Sequence, residues 1–132
     1  MSVEFVLCPD LPVKSAADLT LKQFYFVKLS GVWTVALVSA TTDRALGVLQ
    51  NKPNIGQGAE VRVLGVSKVI SDGSGTPIVA GDTIGPNALG QAVKKVTADF
   101  NCAGYAMEAS AALGTVIGVF LVPGLLFRTL AG

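Results

Sequence analysis

The sequence predicts an all-β fold, a small barrel or sandwich of about eight short antiparallel strands. Three observations carry the prediction. Fifteen glycines and six prolines punctuate the 132 residues at short intervals. The segments between them are rich in Val, Leu, Ile, Phe and Thr, which favours short strands joined by turns over helices. Residues 47–69, GVLQNKPNIGQGAEVRVLGVSKV, read as an apolar strand, a polar turn with two glycines and a second apolar strand, like half of a β-barrel.

Each element follows from its local pattern. Glu4–Leu7 lies in the apolar run VEFVL, which Pro9 and Pro12 keep extended. Lys14–Phe24 (KSAADLTLKQF) is the one helix-like stretch, with Ser15 as cap of a single turn. Strands are predicted at Gln23–Leu29 and Trp33–Ser39, joined by a tight hairpin at Ser30-Gly31. Arg44–Gln50 and the long Ala59–Ile70 flank the polar turn. Ile78–Ile84 follows the small-residue turn SDGSGTP, and Gln91–Val96 follows the turn GPNALGQ. Gly104–Glu108 and Thr115–Val122 complete the set. The organisation expected is an N-terminal arm and first strand (1–22), a β-domain (23–122) and an apolar C-terminal tail (123–132).

Two patterns say more than strand positions. In Ala59–Ile70 the apolar parity changes: Val61 and Val63 share one side, Leu64 and Val66 the other. Strand side chains alternate strictly, so a bulge or sharp bend near Gly65 is expected, of the kind that curls a sheet or switches sheets. Gln23–Leu29 and Thr115–Val122 are apolar on both parities. Such strands are covered on both faces, and in a chain this short a neighbouring subunit is a candidate for one cover.

Composition limits the function. The formal net charge is +1, from 10 basic and 9 acidic side chains dispersed along the chain. With a pI near 7.7 and only Lys94-Lys95 adjacent, the chain lacks the basic face of a nucleic-acid binder. Charged residues are 14% and hydrophobic residues 51%, against roughly 25% charged in a typical soluble domain. So little charge protects poorly against association: a well-filled core under a Ser/Thr/Gly/Asn surface is one reading, and apolar surface covered by partners is the other. The opening residues carry an early acid and no basic stretch, unlike a secretory leader. The run Gly114–Phe127 is too short for a bilayer span and is broken by Pro123-Gly124, so no membrane partner is expected. These readings place synthesis in a cytoplasm. Cys8 and Cys102 read as two thiols acting as small hydrophobes, with a disulfide between them as the alternative.

The sequence is poor in reactive groups. It has no histidine, which removes Ser-His-Asp and Cys-His catalysis and imidazole metal sites. The common phosphate-cradling glycine motifs are absent. Ser67 and Lys68 are neighbours on a strand and face opposite sides, which defeats a dyad. The carboxylates stand singly, mostly in turns. Asp82 reads as a turn residue accepting backbone hydrogen bonds. No enzyme and no cofactor is expected. Trp33 with Phe24, Tyr25 and Phe26 forms the main aromatic cluster, either as core or as an interface anchor.

The residues that carry a family resemblance are FYFVKLSG, ALGVLQNKPNIGQGAEVRVLGVSKV, AGDTIGPNALGQAV and GYAMEASAALGTVIGVFL, in that order. Over about residues 23 to 122 the chain resembles the small head-decoration (cement) proteins of tailed bacteriophages. The order of the elements is more specific than any one of them. The resemblance implies a small all-β virion protein, made in the host cytoplasm, on the exterior of the expanded capsid. It implies bridging of neighbouring major capsid protein subunits, often as homotrimers, with no catalysis and no cofactor. The tail PGLLFRTLAG departs from the family's pattern. Candidate interface residues are Val3, Phe5 and Leu7 of the arm, Phe24, Phe26 and Trp33 of the aromatic cluster, and Leu125, Leu126 and Phe127 of the tail. A tail or connector protein forming a ring, and a small β-barrel module binding a sugar or peptide, are the competing readings.

Overall fold

The computed structural model describes residues 10–96 and 102–122. The expected strand Glu4–Leu7, the arm and tail candidates Val3, Phe5, Leu7, Leu125, Leu126 and Phe127, and Cys8 lie outside the described residues.

Among the described residues ten strands form two closed five-stranded barrels, one after the other along the chain. The first comprises β1 (Leu11–Ser15), β2 (Phe26–Gly31), β3 (Thr34–Leu37), β4 (Gly47–Leu49) and β5 (Gly58–Arg62). Their order is β1-β3-β2-β4-β5, closed by antiparallel pairing of β1 with β5. The second comprises β6 (Gly65–Asp72), β7 (Thr83–Pro86), β8 (Ala92–Lys94), β9 (Gly104–Ala106) and β10 (Leu113–Leu121). Their order is β10-β6-β8-β7-β9, closed by β9 against β10. The all-β prediction holds. The strands are more numerous than expected and divide between two barrels, and two pairings, β1–β3 and β6–β8, are parallel.

The bend expected near Gly65 is where the chain passes from one barrel to the other. Gly65 has φ +100°, a left-handed conformation that glycine adopts at little cost. The single expected strand 59–70 is therefore two strands in two sheets. The helical turn expected at Lys14–Phe24 does not form, and no helix occurs among the described residues. Lys14 and Ser15 instead finish β1, where Lys14 pairs with Gly58 on one side and Thr34 on the other. The Ser15 hydroxyl donates to the Ala17 carbonyl (2.6 Å) rather than capping a helix. Expected strand 78–84 also shortens. Ile78 makes one isolated bridge to Ser110, and Val79–Asp82 is a turn in which Asp82 Oδ2 accepts from the Val79 N–H at 2.9 Å, the role expected of Asp82.

Two apolar clusters fill the structure. One is the interior of the first barrel, with Val13, Val27, Val35, Leu49, Ala59 and Val61. The other contains Val69, Ile84, Ala92, Ile117, Val119 and Leu121 of the second barrel together with Phe26, Val38 and Val48 from the first. Alternation explains the division: Val27 and Leu49 point into the first barrel, and their neighbours Phe26 and Val48 point out of it into the second cluster. The cover on the second face of strand 23–29 is thus the protein's own second barrel, not a neighbouring subunit. Backbone bonds pin the junction, with Phe26 N donating to the Gly90 carbonyl (2.8 Å) and Ile70 N to the Phe24 carbonyl (2.9 Å).

Candidate functional site

The exposed apolar surface of the first barrel gathers around the β2–β3 hairpin. Gly31 pairs with Thr34, so the loop is the two residues Val32-Trp33, two positions later than the sequence suggested. Two-residue hairpin loops prefer Asn or Gly, because they need positive φ. Here Trp33 has φ +49°, a conformation that costs a non-glycine residue about 1–2 kcal/mol. Ordinary turn chemistry has been set aside to hold an indole at the hairpin tip. Val32 is 88% exposed and Trp33 47%.

Behind this tip is an open depression of about 300 Å³ walled by Leu11, Val13, Leu29, Val32, Trp33 and Leu46. It continues into a wider depression of about 720 Å³ that shares Leu29 and Leu46 and adds Lys28, Asp43 and Arg44. The groove is therefore apolar at the Trp33 end and charged at the other. Asp43 shapes the charged end: its Oδ2 accepts from Lys28 Nζ (2.7 Å), from the Ser39 and Ala40 N–H groups (both 3.0 Å) and from the Ser39 hydroxyl (3.3 Å). The Lys28 ammonium, followed by the Ser39 N–H, lowers the Asp43 pKa from 3.8 to about 2. A depressed folded-state pKa contributes stability that is full above the unfolded value and is lost as pH falls through the folded one. Thermal unfolding of wild type and Asp43→Asn should therefore differ by a constant margin above about pH 4 and converge between about pH 4 and 2. A margin independent of pH would show that the Asp43 charge does not hold the loop.

Three other carboxylates among the described residues are also occupied by local structure. Asp72 Oδ1 accepts from Ser74 N–H (3.0 Å) and hydroxyl (2.6 Å), which lowers its pKa. Asp18 does the same with Thr20, and Glu108 Oε1 accepts from Gly118 N–H at 2.8 Å. Ser67 is buried and accepts from Gln50 Nε2 at 2.8 Å, on the opposite side of β6 from exposed Lys68. Among the described residues no three His, Cys, Asp or Glu side chains come together as a metal site.

Of the predicted interface residues, Trp33 stands in the groove wall. Phe24 is half-buried against the shared cluster, and Phe26 is fully buried within it. Phe26 therefore serves the core, and the aromatic cluster splits between core and surface. Leu29, Val32 and Leu46 were not anticipated, because nothing local distinguishes them from core residues.

A second apolar surface lies on the outside of the second barrel, where Val66, Tyr105 and Phe120 are 50%, 41% and 42% exposed. Ile117, Val119 and Leu121 of β10 point inward. Their outward neighbours Val116 and Phe120 are exposed.

Comparison with known proteins fits these features. No curated protein sequence matches the chain. Among solved structures the chain is similar to the crystal structure of head fiber gp8.5 N base in bacteriophage phi29, with a TM-score of 0.65 and 18% sequence identity. The likeness covers 89% of this chain and 96% of that one, and at that identity it bears on the fold. Residues 10–121 match the family described as phage cement protein. That span takes in both barrels and the groove, and the chain belongs to the phage cement proteins, structural components of the virion.

Proposed function

We propose that this protein binds the exterior of the expanded phage capsid, bridges neighbouring major capsid protein subunits, and does so as a homotrimer through the groove at the β2–β3 hairpin. The observation that carries the reading is Trp33, an indole presented at the tip of a strained turn. Strain of this kind is concentrated at functional contacts, and exposed Trp is enriched among residues that dominate interface energies. Both sheets are closed, so the barrels have few free edges to offer and contact the shell through side chains. A shell under internal pressure parts at its subunit seams. Contacts spanning a seam resist that parting, and many copies add through multivalency.

The arm also has a place in this reading. Leu11 and Pro12 pair with Val61 and Glu60, and Asp10 Oδ1 accepts from Arg62 Nε at 3.0 Å. Leu11 and Pro12 are thereby engaged in the first barrel, and the part of the arm that adds a strand to a capsid sheet edge in this reading is residues 2–9. Deleting residues 2–8 should weaken shell binding while the barrels stay folded.

The test is co-sedimentation with the virus's own shells before and after expansion. Saturable binding to expanded shells, with a raised rupture temperature, is expected. Trp33→Gly should weaken that binding about tenfold and leave stability within about 1 kcal/mol of wild type, because glycine relieves the positive φ while loosening the unfolded chain. Absence of binding to either shell form would overturn the proposal and bring the connector reading forward.

A further inference from the structure

We infer that residues 2–9 of this chain cover the open end of its first barrel in the free protein and leave it when the protein meets the shell. The contact stands on the geometry of the groove; its release rests on the reading above. Strand parity shows that the groove is a barrel mouth. Val27 points into the first barrel, and Leu29, two residues on, shares its side. Leu29 is nonetheless 56% exposed. The cause is a gap in the wall. Pairing of β2 with β4 ends at Val27 and Gly47, and beyond it residues 28–30 and 43–46 stand apart around the wider depression. A leucine aimed into a barrel and left in water forgoes about 1.5–3 kcal/mol of burial, so the mouth favours an apolar cover.

Three observations choose the cover. The first is where the arm joins the barrel. Leu11 forms part of the wall of the mouth, and Asp10 before it is held by Arg62, whose Nε donates to Asp10 Oδ1 at 3.0 Å. The arm therefore starts at the rim. The second is length. An extended chain advances about 3.3 Å per residue, so residues 4 to 10 reach about 20 Å. A five-stranded barrel with strands about 4.8 Å apart is roughly 10 Å across, so the arm is long enough to cross the mouth. The third is chemistry. An extended VEFVL places Val3, Phe5 and Leu7 on one side, and Glu4 is the only charged side chain in residues 2–9. At the mouth, Lys28 and two backbone N–H groups take up the Asp43 carboxylate. The charge offered outward is that of Arg44, which is exposed and enters none of the ion pairs among the described residues. Phe5 and Leu7 match the apolar end, and Glu4 matches Arg44. The C-terminal segment 123–132 does not: its one charged side chain, Arg128, carries the same sign as Arg44, and it follows β10 of the other barrel.

The result is a competition. The arm that adds a strand to a capsid sheet edge in the reading above is the arm that shields Leu29 and Trp33 beforehand. A groove covered in the free protein binds its partner with an affinity reduced to the fraction of molecules that are open. A shell that takes both the arm and the groove offsets that loss, whereas a surface that takes the groove alone does not.

Trp33 is the single tryptophan, so its emission and its quenching by acrylamide report on the mouth in the purified full chain without shells. Deleting residues 2–8 should shift the emission to longer wavelength and raise the quenching constant, with far-ultraviolet circular dichroism unchanged. That variant sets the open limit. Against it, Phe5→Ser should lower the ratio of covered to open molecules about tenfold or more, and Glu4→Arg about two- to fivefold, the worth of an exposed ion pair. Glu4→Arg combined with Arg44→Glu should recover most of that loss, which a fault in folding would not do. Emission and quenching unchanged by the deletion would overturn the inference. So would emission that varies with protein concentration, because the cover would then be the arm of another copy. Loss without recovery in the double variant would overturn the Glu4–Arg44 contact. Co-sedimentation reads shell binding separately. An arm effect on Trp33 without shell binding sinks the capsid reading and leaves this contact standing, and shell binding without an arm effect does the reverse.

Discussion

Phe26→Ala should lower the unfolding free energy by about 3–5 kcal/mol, the usual cost of emptying a buried aromatic site. The position makes the upper part of that range the expected one. Phe26 is fully buried and belongs by pairing to the first barrel, opposite Val48. Its ring is nonetheless in the cluster with Ile84, Ile117 and Leu121 of the second barrel. A cavity there has walls from both sheets, held by the backbone bonds around Gly90, and collapse to fill it is hindered. Native domains are stable by only about 5–15 kcal/mol, so the loss is a large share of the total. The same joint should make wild type unfold in one transition, since neither barrel keeps its outer cover alone. Denaturant unfolding followed by Trp33 fluorescence, a first-barrel probe, and by far-ultraviolet circular dichroism checks both points. Coincident curves and a loss of this size are expected. A cost below about 1.5 kcal/mol, or separate transitions in wild type, would mean that the two barrels are not packed as one core.

Much of this fold was legible in the sequence, and the unread part has a common cause. The frequency of glycine and proline, with Val, Ile and Phe between them, identified an all-β chain. The parity change between Val63 and Leu64 located the bend at Gly65, because alternation is a local rule. Alternation also tells which side chains are covered but not by what. Phe26 and Val27 are both apolar, and only the long-range placement of β6–β10 decides that the cover of Phe26 belongs to the same molecule. Strand β1 was missed for a related reason. Ser15, Ala16, Ala17 and Asp18 carry the local signs of a helix start, and they are outweighed by pairing of Leu11–Lys14 with β5, about 45 residues later.

The candidate site divides along the same line. Trp33 stands out in any reading as the single tryptophan. Its place at a two-residue turn does not, since Val-Trp is a poor sequence for a loop that needs positive φ. The row Tyr105–Phe120–Val66 depends on the register of three strands from separate parts of the chain. The sequence indicated only that β10 carries apolar residues on its outer parity, and the structure shows which neighbours extend them into a surface.

Gly104→Ala should be the most damaging one-carbon change in the second barrel, costing roughly 3 kcal/mol or more. Gly104 lies between β7 and β10, opposite Ile84 on one side and Leu121 on the other. A Cβ built there runs into the Phe120 carbonyl oxygen, with the Phe120 carbonyl carbon at 2.9 Å and Leu121 Cα at 3.1 Å. These are backbone atoms held in a ladder, so no rotamer change relieves the contact and β9 must move away from β10. Gly58→Ala supplies the control. Gly58 is also a strand glycine, but a Cβ there meets nothing within 4 Å. Removing glycine's freedom from the unfolded chain should then stabilise by about 0.4–1 kcal/mol. The same substitution is expected to act with opposite sign at two strand positions, and equal melting shifts would show that the close approach of β9 to β10 is not a constraint.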